Sequence, residues 1–315
     1  MRCASPRGNL ALALAALAIA AMPFYASPYH MQLASTAMIA AMFALSLQLL
    51  VGGAGMVSLA QAAFFGIGAY AVHLLARVTD GAPSILLSLP ASASIAGLAA
   101  LLIGPFALRT RGFFFLMTTL AFGQMLFFVF HDTSLGGGAD GVFIQRPVLG
   151  AFGVALELTR ANRPTVFLLL NLLVLTVMYA ALWWLMRTLF GHALLGIRAN
   201  EDRMHAMGHD VLRLKLAAFV VAGALAGIAG HMAALNDAFV NPELLGWHRS
   251  AEALLIVLLG GIAALHGPIL GAFAYTLIGE IGQSITERQR LVEGLVILAA
   301  VLLLRNGIAG IRLPT

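Results

Sequence analysis

Long apolar runs separated by short polar or glycine-rich breaks set the pattern of this chain. Apolar runs approaching about 20 residues read as membrane-spanning helices. The pattern predicts spans at 10–22, 31–50, 57–76, 84–108, 113–130, 165–186 and 211–235, with a last one over 291–304. Arg2 and Arg7 precede the first run and Tyr25-Ala26-Ser27 follows it, which fits a signal peptide. Because further spans follow at once, an uncleaved first helix with a cytoplasmic N-terminus is the expectation. Gly52, Gly53 and Gly55 break the second span from the third, in which Ala62, Gly66 and Tyr70 recur at four-residue intervals. Gly223 and Gly227 form a GxxxG pair beside Ala226 and Gly230. Small residues at such spacing let helix backbones approach closely. Pro90 and Pro105 mark kink points in the fourth span.

One region departs from this rhythm. The run from Glu252 to Leu265 reaches only about 21 Å at about 1.5 Å per residue, short of a bilayer core of roughly 30 Å. His266-Gly267-Pro268 ends it, and a second run begins at Ile269. A broken or re-entrant pair near 252–283 follows, the alternative being a hairpin of two tilted spans. The expected fold is therefore all-α: a polytopic membrane helix bundle of about ten crossings, as one domain over 1–315.

Composition agrees. The chain is 61% hydrophobic and 10% charged, far from the roughly 25% charged of a soluble domain. The net charge of +5 is spread over short loops, which favours the positive-inside pattern over nucleic-acid binding. Most of the Arg and Lys residues fall on segments placed inside, including Arg109, Arg111, Arg305 and Arg312, which puts both termini in the cytoplasm. Arg288, Arg290 and the loops 131–163 and 236–250 are placed outside, and Trp183 and Trp184 serve as interfacial anchors. A single cysteine, Cys3, leaves no internal disulfide. Lys215 is the only lysine and lies between Leu214 and Leu216, so the chain has no G-x-x-x-x-G-K-[ST] phosphate loop. No G-x-S-x-G elbow and no acid pair on a shared aqueous face points to an enzyme.

The longest polar interruption with helical signals is 187–215, with Arg187, Arg198, Arg203, Arg213 and Lys215. Asn200 is a good N-cap, Glu201 and Asp202 suit the first turn, and Gly208 is a C′ stop. Met204 and Met207 are expected on one face of this two-turn helix. So short a helix needs something to lie against, which makes it a handle for a soluble partner. Glu201, His205 and His209 also lie at four-residue intervals, but Gly208 interrupts that face and the H-E-x-x-H order is missing, so no metal site is expected.

Four stretches carry a family resemblance. LVGGAGMVSLAQAAFFGIGAY (50–70), RGFFFLMTTLAFGQM (111–125), GHALLGIRANEDRMHAMGHDVLRLKLAAFVVAGALAGIAG (191–230) and LLIVLLGGIAALHGPILGA (254–272) resemble, in order, segments of ABC-importer permeases of the branched-chain amino-acid type. Gln61, Ala263 and His266 depart from the residues usual there. The resemblance implies a bacterial plasma-membrane importer subunit for branched-chain amino acids or related small polar solutes such as urea and short amides. It implies a cytoplasmic coupling loop over 188–212, in which Arg198, Glu201, Asp202, Ala206 and Gly208 meet the ATPase. The implied partners are two ATP-binding subunits holding ATP-Mg, a second homologous permease and an external substrate-binding protein. No cofactor is expected in this chain itself. A ribose-type sugar permease, or an ion-coupled carrier or channel without an ATPase, are the alternatives.

Polar groups at membrane depth are costly and so informative. Gln48, Gln61, His73, Gln124, His231 and Glu280 are such positions. Gln61 and Gln124 are expected mid-span, and His73, His231 and Glu280 near interfaces. Gln61, Gly66, Gln124, Gly260, Gly261, Gly267 and Pro268 are the candidate translocation path.

Overall fold

A computed structural model describes residues 15–78, 84–133, 136–144, 149–151, 154–156, 163–285, 294–295 and 307–310. The expectations for residues before Ala15, for Arg288, Arg290, Arg305 and Arg312, and for most of 291–304 lie outside them. In chain order the helices are α1 (Ala15–Phe24), α2 (Pro28–Gln48), α3 (Gln61–Val78), α4 (Ile85–Ala107) and α5 (Phe113–Asp132). They continue with α6 (Arg163–Arg187), α7 (Leu189–Ala199), α8 (Glu201–Ala206), α9 (Val211–Asp237), α10 (Trp247–Gly260) and α11 (Gly267–Ile285). Five are long and apolar enough to cross a bilayer: α2 with its continuation to Ala54, α4, α5, α6 and α9. The turn after α4, together with α7 and α8, marks one end of the bundle, called here the basic end.

Helix α2 is the axis. Its most apolar window is 94% buried, whereas that of α5 is 17% buried and leaves Phe113, Phe114, Met125 and Phe128 exposed. A helix apolar all round belongs in the centre of a bundle, and one with a large exposed apolar face suits lipid or another apolar chain. Helices α3 and α4 flank α9, and small residues permit the contact. Gly68 meets the Gly227 backbone, Gly230 meets the Phe65 carbonyl, and Gly223 and Gly227 receive Ala100 and Ala96. The GxxxG pair thus packs as its spacing predicts. The face Ala62-Gly66-Tyr70 turns elsewhere, and Gly66 lies against Leu245.

Beyond the opposite end, β1 (Val142–Phe143) pairs antiparallel with β4 (Phe239–Val240), and β2 (Leu149–Ala151) with β3 (Val154–Leu156). The first pair ties the 131–163 loop to the segment that follows α9. The expected 236–250 loop is shorter than predicted, since α9 runs to Asp237, a 3₁₀ turn covers Pro242–Leu245, and α10 begins at Trp247.

Three expectations are corrected by the helix boundaries. The second span runs past Leu50 and through Gly52 and Gly53: α2 continues as a π-helical turn over Leu49–Ala54 and stops only at Gly55, which has φ +72°. Next, Gln61 is not mid-helix; it is the first residue of α3, after a non-helical stretch over 56–60. Polar side chains satisfy the backbone freed there, as irregular backbone at membrane depth requires. Thr119 Oγ1 accepts from the Leu59 N–H, and Ser58 Oγ from the Ala60 N–H. Ser250 Oγ accepts from the Ala62 N–H at 2.8 Å and donates to the Leu59 carbonyl. Finally, α10 ends at Gly260 rather than near Leu265, because Gly261 turns the chain at φ +108°.

Helices α10 and α11 form an antiparallel hairpin. Gly271 packs on Ile256 and Gly260, and Gly260 on Gly267. The tip, 261–266, is held at the basic end of α2, where Gln48 Nε2 donates to the Ile262 and Ala264 carbonyls at 2.8 and 3.2 Å. At the other end of α2 the Tyr29 hydroxyl donates to Glu280. Both open ends of the hairpin therefore face away from the basic end, and the pair runs along the length of α2.

His231 is also corrected. It is fully buried in α9, with Ser92 Oγ 2.9 Å from Nδ1 and Ser88 Oγ 3.4 Å from Nε2. Two serines of α4 make an interior position tolerable where the sequence suggested an interface.

Candidate coupling surface and translocation cleft

Helix α8 is built as its sequence dictates. Asn200 accepts the Arg203 N–H at 2.9 Å, and Glu201 and Asp202 occupy the first turn. At the far end the Gly208 N–H reaches the His205 carbonyl and the His209 N–H the Met204 carbonyl, while Gly208 has φ +82°. This pair of bonds around a left-handed glycine is the Schellman stop. Asn200→Ala should cost α8 about 1 kcal/mol. Faster amide exchange at Arg203 and Met204, with α9 unchanged, is the expected measurement.

The two methionines separate. Met204 is 6% exposed and seats against Gly196, pinning α8 to α7. Met207 is 59% exposed and sits at the C-cap, so it does not share that face. Asp202, Arg203, His205, Ala206 and Gly208 are exposed around it. Glu201 points back to the bundle, accepting from Lys215 Nζ at 2.6 Å and lying 3.8 Å from Arg111. The candidate coupling residues therefore divide: Asp202, Ala206 and Gly208 face solvent, and Arg198 and Glu201 fasten the loop. Helix α7 was missed by the sequence reading. Gly191, Leu194 and Ile197, buried at three-residue spacing behind Thr188, were the available signal.

Arg198, in the last turn of α7, lies along Gly55 and donates from Nη1 to the Gly52 carbonyl in the π-helical turn. One turn earlier stands Gln48, bonded to the hairpin tip. An unbroken series of contacts thus runs from α8 through Arg198 and the end of α2 to the α10–α11 turn.

That hairpin borders a cleft. A cavity of about 920 Å³ lies between α5, 241–246, α10 and α11, and a second of about 470 Å³ adjoins it on the α2 side. Leu244, Arg249, Glu252 and Tyr275 belong to the walls of both. Gln124 lines the larger one. Gln61 lies fully buried at the α3 start, and neither of its side-chain polar atoms has a hydrogen-bond partner among the described residues. Gly66 is filled by Leu245, and Gly260, Gly261, Gly267 and Pro268 shape the hairpin turn rather than the cleft. The residues missed are Trp247, Arg249 and Glu252. Their signal was the polar stretch WHRSAE, whose residues up to Ser250 were assigned to a loop and whose Glu252 opened the apolar run.

A family model described as "Branched-chain amino acid transport system / permease component" matches residues 29–303. The chain is 30% identical over 294 residues to the high-affinity branched-chain amino acid transport system permease protein LivM of Salmonella typhimurium, covering 86% of this chain and 68% of that protein. LivM of Escherichia coli matches with the same identity and coverage. The xylose transport system permease protein XylH of Escherichia coli is 30% identical over 148 residues, 44% of this chain and 36% of that one. No solved structure matches. The all-α bundle with its apolar, span-length helices is thus that of a permease, and the chain belongs to the family of permease components of branched-chain amino acid transport systems.

Proposed function

We propose that this chain is the transmembrane permease subunit of an ATP-driven importer of branched-chain amino acids in the bacterial plasma membrane. The observation that carries the coupling part of this reading is the Arg198–Gly52 and Gln48–Ile262 series, which joins an exposed, doubly capped helix to the α10–α11 hairpin of the cleft. The substrate class follows from the family and the LivM relatives. The basic end faces the cytoplasm, in line with the positive-inside rule, and the same rule assigns both termini to that side. Two ATP-binding subunits, which hold the ATP-Mg, dock on the 188–212 loop through Asp202, Ala206 and Gly208. A second homologous permease completes the cleft, and an external binding protein delivers solute to the opposite end.

Closure of the ATPases moves α7 and α8 as one piece, because Met204 pins them together. Arg198 passes that displacement to the π-helical turn of α2, and Gln48 passes it to the hairpin tip. Each nucleotide state favours one hairpin position, so access alternates by population shift. The chain itself carries no reaction.

The test is uptake of labelled leucine by proteoliposomes holding the purified complex, with binding protein and ATP. Uptake that requires ATP, is competed by isoleucine and valine, and ignores xylose is expected. Competition by xylose alone, or uptake without nucleotide, would contradict the proposal. Within this assay, Arg198→Met should lower leucine uptake about tenfold or more while ATP hydrolysis continues, since removing a charge-assisted bond from a partly buried carbonyl leaves that acceptor unpaired.

A further inference from the structure

We infer that Arg249 and Glu252 are the specificity pair of the cleft: they neutralise each other when it is empty and separate to hold the carboxylate and ammonium of a zwitterionic solute. This rests on the permease reading above and deepens it.

The two side chains lie three residues apart on the first turns of α10, with Arg249 Nη1 3.2 Å from Glu252 Oε2. Neither is packed away, since they are 52% and 40% exposed toward the cleft. Fold alone does not call for them there. An arginine in a helix's first turn works against the helix dipole. Other carboxylates join the group. Asp237, at the end of α9, shares the wall of the smaller cavity with both, attracts Arg249, and accepts from Asn236 Nδ2 at 2.9 Å. Glu280 lines the smaller cavity and Glu243 the larger, so among the described residues Arg249 is the guanidinium that faces several carboxylates. Phe127 and Leu255 supply an apolar wall in the larger cavity.

This arrangement selects by charge pattern. A zwitterion replaces the Arg249–Glu252 contact with two new ones, its carboxylate on Arg249 and its ammonium on Glu252 or Asp237, with no net charge brought in. A simple acid takes Arg249 and leaves Glu252 without a cation, whereas a zwitterion supplies one; a simple amine gains no contact at Arg249. The aliphatic side chain then lies against Phe127 and Leu255. Discrimination resides in the termini, with the apolar wall adding a preference for branched chains.

The experiment uses the assembled importer in proteoliposomes, with leucine-loaded binding protein at saturation. Arg249→Gln is expected to lower the maximal leucine uptake about ten- to a hundredfold, the range of one charged hydrogen bond, and Arg249→Lys to retain more of it. The reversed pair, Arg249→Glu with Glu252→Arg, keeps the ion pair but moves the cation relative to Asp237, so uptake stays at least about tenfold down. A bridge that merely braces α10 would be restored by reversal; wild-type uptake in the reversed pair, or in Arg249→Gln, overturns the inference. Should the Arg249 variants fail to purify as a complex, Leu255→Trp carries the test. It fills the cleft without changing charge and is expected to lower leucine uptake severalfold with ATP hydrolysis retained, and unaltered uptake overturns the assignment. Absence of leucine uptake by the wild-type complex would overturn the permease reading and this inference with it, whereas normal wild-type uptake with an unaffected Arg249→Gln overturns this inference alone.

Discussion

Gly208→Trp should abolish leucine uptake while leaving the chain inserted and folded. The Cβ direction at Gly208 meets nothing within 4 Å, so an added side chain crowds no part of this chain. Its left-handed φ of +82° does strain any L-residue, by about 1–2 kcal/mol. That strain is common to every substitution and falls on the last turn of a helix that Asn200 and Met204 hold independently. Gly208→Ala therefore separates the two effects. Alanine carries the strain with almost no added bulk and should keep most of the uptake, whereas tryptophan projects into the face assigned to the ATPase and should remove it. Measured side by side, with membrane content checked by immunoblot, equal uptake by the two variants would count against docking at this face.

Gly230→Leu acts on the bundle itself and should prevent accumulation of folded protein. A side chain there runs into the Phe65 carbonyl and approaches the Ala69 N–H, both backbone atoms of α3 that cannot rotate away. Helices α3 and α9 would have to separate, which also undoes the Gly68–Gly227 contact and disturbs α4 through Ala96 and Ala100. Overpacking a core typically costs about 1–3 kcal/mol and more when the backbone must move, against a total stability of about 5–15 kcal/mol. Leu173→Ala is the control. Leu173 is 61% exposed on α6, so its loss should leave the detergent melting temperature nearly unchanged. A Gly230→Leu protein that melts with the wild type would refute the close approach of α3 and α9.

The parts of this fold that were legible in the sequence are those governed by local rules. Apolar run length located the spanning helices, and small-residue spacing located the α9 contact surface. Asn200 and Gly208 set the limits of α8 because capping depends on a few adjacent residues. What escaped the reading depends on distant partners. The stretch from Met56 to Ala60 is as apolar as any span, and it is unwound because Ser250 and Thr119, far away in sequence, satisfy its backbone. His231 looked interfacial because nothing nearby shows that Ser88 and Ser92 await it. Met207 was placed with Met204 because helical spacing was extended past the point where the Schellman stop ends it. The cleft was half visible. Gln124 was flagged as a polar group mid-span, while Arg249 and Glu252 were passed over, since charges at a run boundary look like loop residues until the chain re-enters the bundle.

Helix α8 is, in the proposed mechanism, the handle an ATPase pulls. The most direct measurement is affinity purification of the tagged chain from native membranes in mild detergent, with mass spectrometry of its companions. The prediction is an ATPase with a phosphate loop and a second polytopic chain alongside the wild type, and the second chain without the ATPase alongside Gly208→Trp. Repeated recovery of the folded wild-type chain by itself, with neither companion, would contradict it.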